Sequence, residues 1–268
     1  MVDSSFRVST RHLNSALDNV NKSLNKLASG KRINSAADDP AGLAIAEQLA
    51  SEAATFKQAS NNAGYGLSYL NVQDGALEQV SQISTRLQEL SVQSANGTLS
   101  DDQRGSLKQE YDALSAEAER IVASTEFNGQ KVFSGSSTTL QVGVDSGSDS
   151  QITIQGTEVA TQLANLKAQN IGTQAGAQIA LDAAKAFSTN ITQERGKLGA
   201  VVSRLETAVN NISVATENLQ SAESRIRDVD VADEVARKVS ESIRANAGTA
   251  AYVHSKNLSA NKVLGLLK

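Results

Sequence analysis

From Leu198 the chain holds a 4-3 spacing over four heptads: Leu198, Val202, Leu205, Val209, Ile212, Thr216, Leu219, Glu223 and Ile226. A helix with so narrow an apolar stripe buries it only against another helix, so this run is expected as a coiled coil. Only Thr216 and Glu223 break its apolar character. A second narrow seam, Leu13, Leu17, Val20, Leu24 and Leu27, repeats the same spacing near the N-terminus. With five Phe, four Tyr and no Trp in 268 residues, bulky groups are too few for a thick globule. Long thin helices packed through Leu, Val, Ile and Ala suit that composition.

The N-terminal seam stops at Ser29-Gly30, where glycine takes the left-handed conformation that ends a helix. In "SGKRINSAADDPAG" (29–42) the only proline of the chain follows two aspartates. Asp39 reads as an N-cap, Pro40 as the first helical residue, and Asp38 as a charge beside the positive end of the new helix. The stretch is a joint between two rods, marked by Gly30, Asp39 and Pro40.

The second rod is expected over 41–94, with irregularity at Gly64, Gly66 or Gly75, and carries Leu77, Val80, Ile83, Leu87 and Leu90. Asn96-Gly97 ends it. Ser100 and Gln103 form a capping box for a helix over about 100–124, which presents Leu107, Leu114, Ile121 and Val122. Asn128-Gly129 predicts a tight turn between short strands. Alternating Leu140, Val142 and Val144, then Ile152 and Ile154, predict a hairpin. Helix resumes near Gly176. The last segment carries Val231, Val235, Val239 and Ile243 at a spacing of four and ends on Val263, Leu264, Leu266 and Leu267, a tip that needs covering. The fold class is mainly α: a long antiparallel helical coiled-coil or bundle rod with a small β-hairpin region at about 130–160 and paired N- and C-terminal helices.

The formal charge of −4 hides a gradient. Arg7, Arg11, Lys22, Lys26, Lys31 and Arg32 stand against only Asp3 and Asp18 in residues 1–33. Arg237, Lys238, Arg244, Lys256, Lys262 and Lys268 stand against Glu241 alone in 235–268, so the middle is strongly acidic. The basic ends are amphipathic and interleaved with Leu and Val, unlike loose nucleic-acid tails; no nucleic-acid partner is expected. No apolar run approaches a bilayer span, so no membrane partner is expected, and the charged N-terminus lacks a signal-peptide core, so if the protein leaves the cell it does so by another route. No catalytic or metal constellation assembles, and no enzyme activity or cofactor is expected. There is no Cys, and His12 and His254 stand apart, one near each end. "GKR" lacks the earlier P-loop glycine, because position 25 is Asn. "DVDVADE" lacks the central glycine and the twelfth-position Glu of a calcium loop. Asn-X-Ser/Thr tripeptides, such as those at Asn21, Asn96 and Asn211, read as accidents of an Asn/Ser/Thr-rich chain. Neither terminal seam is buried by one isolated helix. Pairing the two ends buries part of each, and copies of the pair around an axis bury the rest in a helical polymer.

The motifs "LNKLASGKRINSAADDPAGLAIAEQL", "LNVQDGALEQVSQISTRLQELSVQSANGTLSDDQR", "STEFNGQKVFSG", "LGAVVSRLETAVNNI" and "ENLQSAESRIRDVDVADEV" resemble bacterial flagellin, in the family's order and over most of the chain. The resemblance implies an extracellular flagellar filament subunit for motility, exported unfolded by the type III apparatus. It implies an inner-tube coiled-coil domain of 1–40 plus 229–268 and a rod domain of 41–228, in a short form almost without the variable outer domains. Implied partners are other copies of the chain in a helical homopolymer, the filament cap and hook-associated proteins, and a cytoplasmic export chaperone. An animal innate-immune receptor is a further implied partner, through a face mapped onto Arg86, Leu90 and Glu117 that also packs against neighbouring subunits. A hook–filament junction protein, which shares the terminal helices, is the alternative.

Overall fold

The computed structural model describes residues 2–266, with side-chain packing described for 7–254, 256 and 257. The C-terminal tip (Val263, Leu264, Leu266 and Leu267) lies outside those described side chains. Six helices and two strand pairs follow in order. They are α1 (Val2–Ser29), α2 (Pro40–Ser94), α3 (Asp101–Ser124), β1 (Glu126–Phe127), β2 (Gln130–Lys131), β3 (Thr138–Gln141), β4 (Gln151–Ile154), α4 (Val159–Lys167), α5 (Gln174–Arg227) and α6 (Val231–Leu266). The chain divides into one unit of residues 1–53 with 217–268 and another of 54–216.

In the unit of 54–216, α2 buries Leu70, Gln73, Leu77, Val80, Ser84, Leu87, Ser91 and Ser94, a strict 3-4 alternation. The sequence reading placed Ile83 and Leu90 on that seam. In the fold Ser84 and Ser91 occupy it, with Leu90 buried beside it and Ile83 half-buried. α5 buries Ala177, Ala180 and Ala184 along its own inward face. The two helices run antiparallel: Arg195 grips Asp74 at 2.8 and 3.1 Å, and Gln88 Nε2 donates to the Ala184 carbonyl at 3.2 Å. α2 is continuous through Gly64, Gly66 and Gly75, so the expected irregularity is absent. Gly66 serves a close approach instead, since a Cβ there would collide with the Leu140 side chain.

α3 opens with the expected capping box, Ser100 and Gln103 bonding each other's backbone amides. Its Tyr111 is fully buried and donates to the Leu166 carbonyl at 3.1 Å. Burial pushes that phenol up to about 12. Asn128 and Gly129 both have positive φ, 51° and 77°, as a two-residue primed turn between β1 and β2 requires. β3 and β4 pair antiparallel in the register Leu140↔Ile152. Val142 is buried just beyond β3, and Val144 lies in the connecting loop instead of a strand. α4 was not legible as a helix from the chain alone. It forms because Val159, Leu163 and Leu166 share one face and are all buried.

In the other unit α1 and α6 lie antiparallel. Lys26 shares a groove with Glu234 and Arg237, while His12 and Leu13 share one with Arg244 and Gly248.

Candidate assembly surfaces

The joint is an ordered clasp. Gly30 ends α1 at φ +70°, and its carbonyl accepts from the Val229 amide at 3.1 Å. The Arg32 amide donates to the Arg227 carbonyl at 2.6 Å, and Arg32 Nη2 reaches the Ile226 carbonyl at 2.6 Å. These bonds zip the connector after α1 to the end of α5. Asp39 caps α2, its Oδ1 accepting from the Gly42 amide at 2.9 Å, and Pro40 is the first helical residue. Asp38 closes the turn before it, its Oδ2 accepting from the Asn34 amide (3.1 Å), the Ser35 amide (3.0 Å) and the Ser35 hydroxyl (3.1 Å). Those bonds, the Asn34 amide first, hold its carboxyl below the ordinary carboxylate range.

The terminal pair differs from the apolar seam read in the sequence. Leu13, Val20 and Leu27 are half-buried, but the positions completing the seam are the buried Ala16 and Ser23. Leu17 and Leu24 stay 46% and 42% exposed. On α6 the inward stripe is Glu234, Lys238, Glu241, Ala245, Gly248 and Tyr252, again 4-3 spaced. Its aliphatic residues Val231, Val235, Val239, Ile243 and Val253 are all exposed. Apolar content alone hid this seam. The heptad of small and polar residues on α6 was the signal that would have found it. His12 and His254 are exposed.

Along α5 the 4-3 seam is inward throughout. Leu198, Leu205 and Ile212 are buried, and Val202, Val209, Leu219 and Ile226 are half-buried.

The face mapped onto Arg86, Leu90 and Glu117 is taken apart by the fold. Arg86 is exposed and pairs with Glu89 (2.9 Å) and Glu110 (2.7 Å), and those carboxylates, Glu110 first, raise its pKa further. Leu90 is fully buried and forms no part of a surface. Glu117 pairs instead with Arg120 at 2.6 Å. The acidic residue α3 sets against Arg86 is therefore Glu110. Among the described residues no cluster of His, Cys, Asp or Glu fits a metal ion, and no helix is long and apolar enough to cross a membrane.

Residues 7–138 match the bacterial flagellin N-terminal helical region, and residues 181–267 match the bacterial flagellin C-terminal helical region. The chain belongs to the bacterial flagellin family. Flagellin of Halalkalibacterium halodurans is 37% identical over 96% of this chain and 95% of its own length. The flagellar filament 31.3 kDa core protein of Treponema maltophilum is 36% identical over 92% of each chain. Bacillus subtilis flagellin is 34% identical, also over 92% of each. Among solved structures, Bacillus cereus flagellin matches 57% of this chain and 88% of its own with a TM-score of 0.52 at 25% identity. A chain described as a flagellar hook-associated protein, from Vibrio parahaemolyticus, matches 71% of this chain and all of its own with a TM-score of 0.62. At 17% identity that likeness shows the fold alone. The protein is a structural subunit of the extracellular flagellar filament, in a short form without an outer domain. The junction-protein alternative is not favoured, because relatives spanning nine-tenths of the chain are filament proteins.

Proposed function

We propose that the chain polymerises through its ends, with 1–40 plus 229–268 acting as an inner-tube domain and 41–228 as the rod domain. One observation carries this reading. The α1–α6 pair buries Ala16, Ser23, Glu234 and Ala245 and leaves Leu17, Leu24, Val235 and Val239 in water. A chain that spends its small and polar residues on its own pairing and exposes its aliphatic ones is incomplete by itself. The same exposed aliphatics make the C-terminal segment a fit client for a cytoplasmic export chaperone before assembly. Cap and hook-associated proteins are the partners expected at the filament's ends. For an innate-immune receptor, the available side chains are Arg86, Glu89 and Glu110, with Leu90 supporting them from below.

The test is seeded growth followed by negative-stain electron microscopy. The full chain is expected to elongate sheared filament seeds, and chains lacking 1–40 or 229–268 are expected not to. Persistent monomers from an intact full-length chain would sink the reading.

A further inference from the structure

The chain carries two Asn-Gly pairs, Asn96-Gly97 and Asn128-Gly129, alike in chemistry and opposite in setting. Asn96 is tied down. Its Oδ1 accepts from the Thr98 amide at 3.1 Å, and its carbonyl accepts from the Leu99 amide at 3.3 Å and from Arg104 Nη1 at 3.1 Å. Gly97 lies against the Gln174 side chain, whose Nε2 would stand 3.4 Å from a Cβ placed there. Asn128 is exposed at the tip of the β1–β2 turn, and its side chain makes no hydrogen bond among the described residues. A Cβ at Gly129 would meet nothing within 4 Å. The ladder below the tip has two residue pairs, Glu126↔Lys131 and Phe127↔Gln130, and one further bond from the Val132 amide to the Thr125 carbonyl at 3.2 Å. So short a ladder opens from its tip.

We propose that Asn128 is a site of spontaneous chemical modification, in which its side-chain amide is displaced by the Gly129 nitrogen and the cyclic imide formed is opened by water. The Gly129 nitrogen bonds to Asn128 Cγ, the Cγ–Nδ2 bond breaks, and Nδ2 leaves as ammonia with the proton of the Gly129 amide. One water then adds to either imide carbonyl. Opening at Cγ gives an aspartyl residue; opening at the main-chain carbonyl gives an isoaspartyl residue, whose chain runs through Cβ and Cγ. Water is the only co-reactant. Glycine matters because it has no side chain to block the nitrogen and lets the backbone turn freely once the tip opens. The two products differ in their effect. Asn128 has φ 51°, a left-handed conformation that aspartate shares with asparagine, so the aspartyl form keeps the turn. The isoaspartyl form adds a methylene to a main chain whose register is set by a two-residue loop, so the Phe127↔Gln130 pair is lost. Phe127 meets Tyr69 of α2 edge to face, with ring centroids 5.9 Å apart, and the Tyr69 hydroxyl donates to the Val132 carbonyl at 3.2 Å. Ageing of the turn is thereby passed to α2.

The test ages the purified full chain in mildly alkaline buffer and follows both Asn-Gly pairs by peptide mass spectrometry. Hydroxylamine traps the imide, and an isoaspartyl methyltransferase labels the isoaspartyl product. The Asn128 peptide is expected to convert at least about tenfold faster than the Asn96 peptide, because several hydrogen bonds must break before Asn96 can react. In urea the two pairs are expected to convert at similar rates, and a difference that persists there would place the preference in the sequence and overturn its structural cause. Equal rates in the folded chain, faster conversion at Asn96, or no trapped imide at Asn128 would overturn the site itself. Asn128→Asp, which stands for one product, is expected to keep the parental Tyr69 and Phe127 ring resonances. The separated isoaspartyl fraction is expected to shift them, and parental resonances in that fraction would overturn the link to α2.

Discussion

Arg32 Nη2 donates to the Ile226 carbonyl at 2.6 Å across 194 residues of sequence, so one side chain from the connector after α1 caps the end of α5. Its backbone amide bonds Arg227 beside it. Arg32→Ala removes the guanidinium bond and keeps the backbone one, at a net cost of about 1 kcal/mol. The Val229 and Arg32 amides are then expected to exchange hydrogen about fivefold faster, while the amides of 77–90 are unchanged. Uniform acceleration along the chain would show that the contact is not local.

Asp38 makes the same joint pH-dependent. Its carboxyl lies below its ordinary 3.8 because the amides of Asn34 and Ser35 and the Ser35 hydroxyl bond its charged form. A depressed carboxylate stabilises the fold above its unfolded value, and that contribution is lost as pH falls through the folded value. The turn is therefore expected to hold at pH 5 and to loosen only below about 3.8, seen as movement of the Asn34 and Ser35 amide resonances. Asp38→Asn is expected to abolish that transition, and a transition unchanged in the variant would assign it elsewhere.

The joint was legible because its residues act locally: a left-handed glycine, an N-cap and a proline at the first helical turn need nothing beyond their neighbours. The same holds for the capping box at Ser100 and the Asn128-Gly129 turn. The α5 seam was legible because its inward residues are aliphatic. The seams that were not legible are those whose buried positions hold small or polar side chains: Ser84 and Ser91 on α2, Ala16 and Ser23 on α1. Helical periodicity finds the phase of a stripe only when the buried residues are also the apolar ones. On α1 they are not, so the stripe read from the sequence was rotated by one position, onto Leu17 and Leu24. The Arg86 face failed for a related reason: matching motifs aligns residues along a helix without saying which of them point inward, and Leu90 does.

Leu90 and Arg86 are therefore expected to separate in experiment. Leu90→Ala opens a cavity in a fully buried site and is expected to cost about 2–5 kcal/mol, read as a lower urea midpoint. Arg86→Ala removes exposed, solvent-screened ion pairs and is expected to leave the urea midpoint close to the parental one. If receptor binding is lost in both, only the Arg86 loss reports on contact. A Leu90→Ala chain with parental stability would contradict its burial.

Arg104 is the largest single commitment in the unit of 54–216. Its guanidinium is buried and donates to the carbonyls of Ser94, Asn96 (3.1 Å) and Leu99 (3.0 Å), orphan acceptors at and just beyond the C-terminus of α2. Its Nε has no acceptor among the described residues, with the Asp101 carboxylate 3.7 Å away. Ser94 in turn donates to the Ile171 carbonyl, so the same turn also anchors the approach to α5. Arg104→Ala leaves three carbonyls, the buried one of Ser94 among them, short of a charged donor and is expected to cost about 2–4 kcal/mol. Arg104→Lys keeps the charge but lacks the fork that spans all three, and is expected to recover no more than about half of that loss. The measurement is the urea midpoint of the 54–216 unit followed by far-ultraviolet circular dichroism. Equal stability of the lysine variant and the parent would mean that charge alone, without the planar geometry of the fork, holds the end of α2.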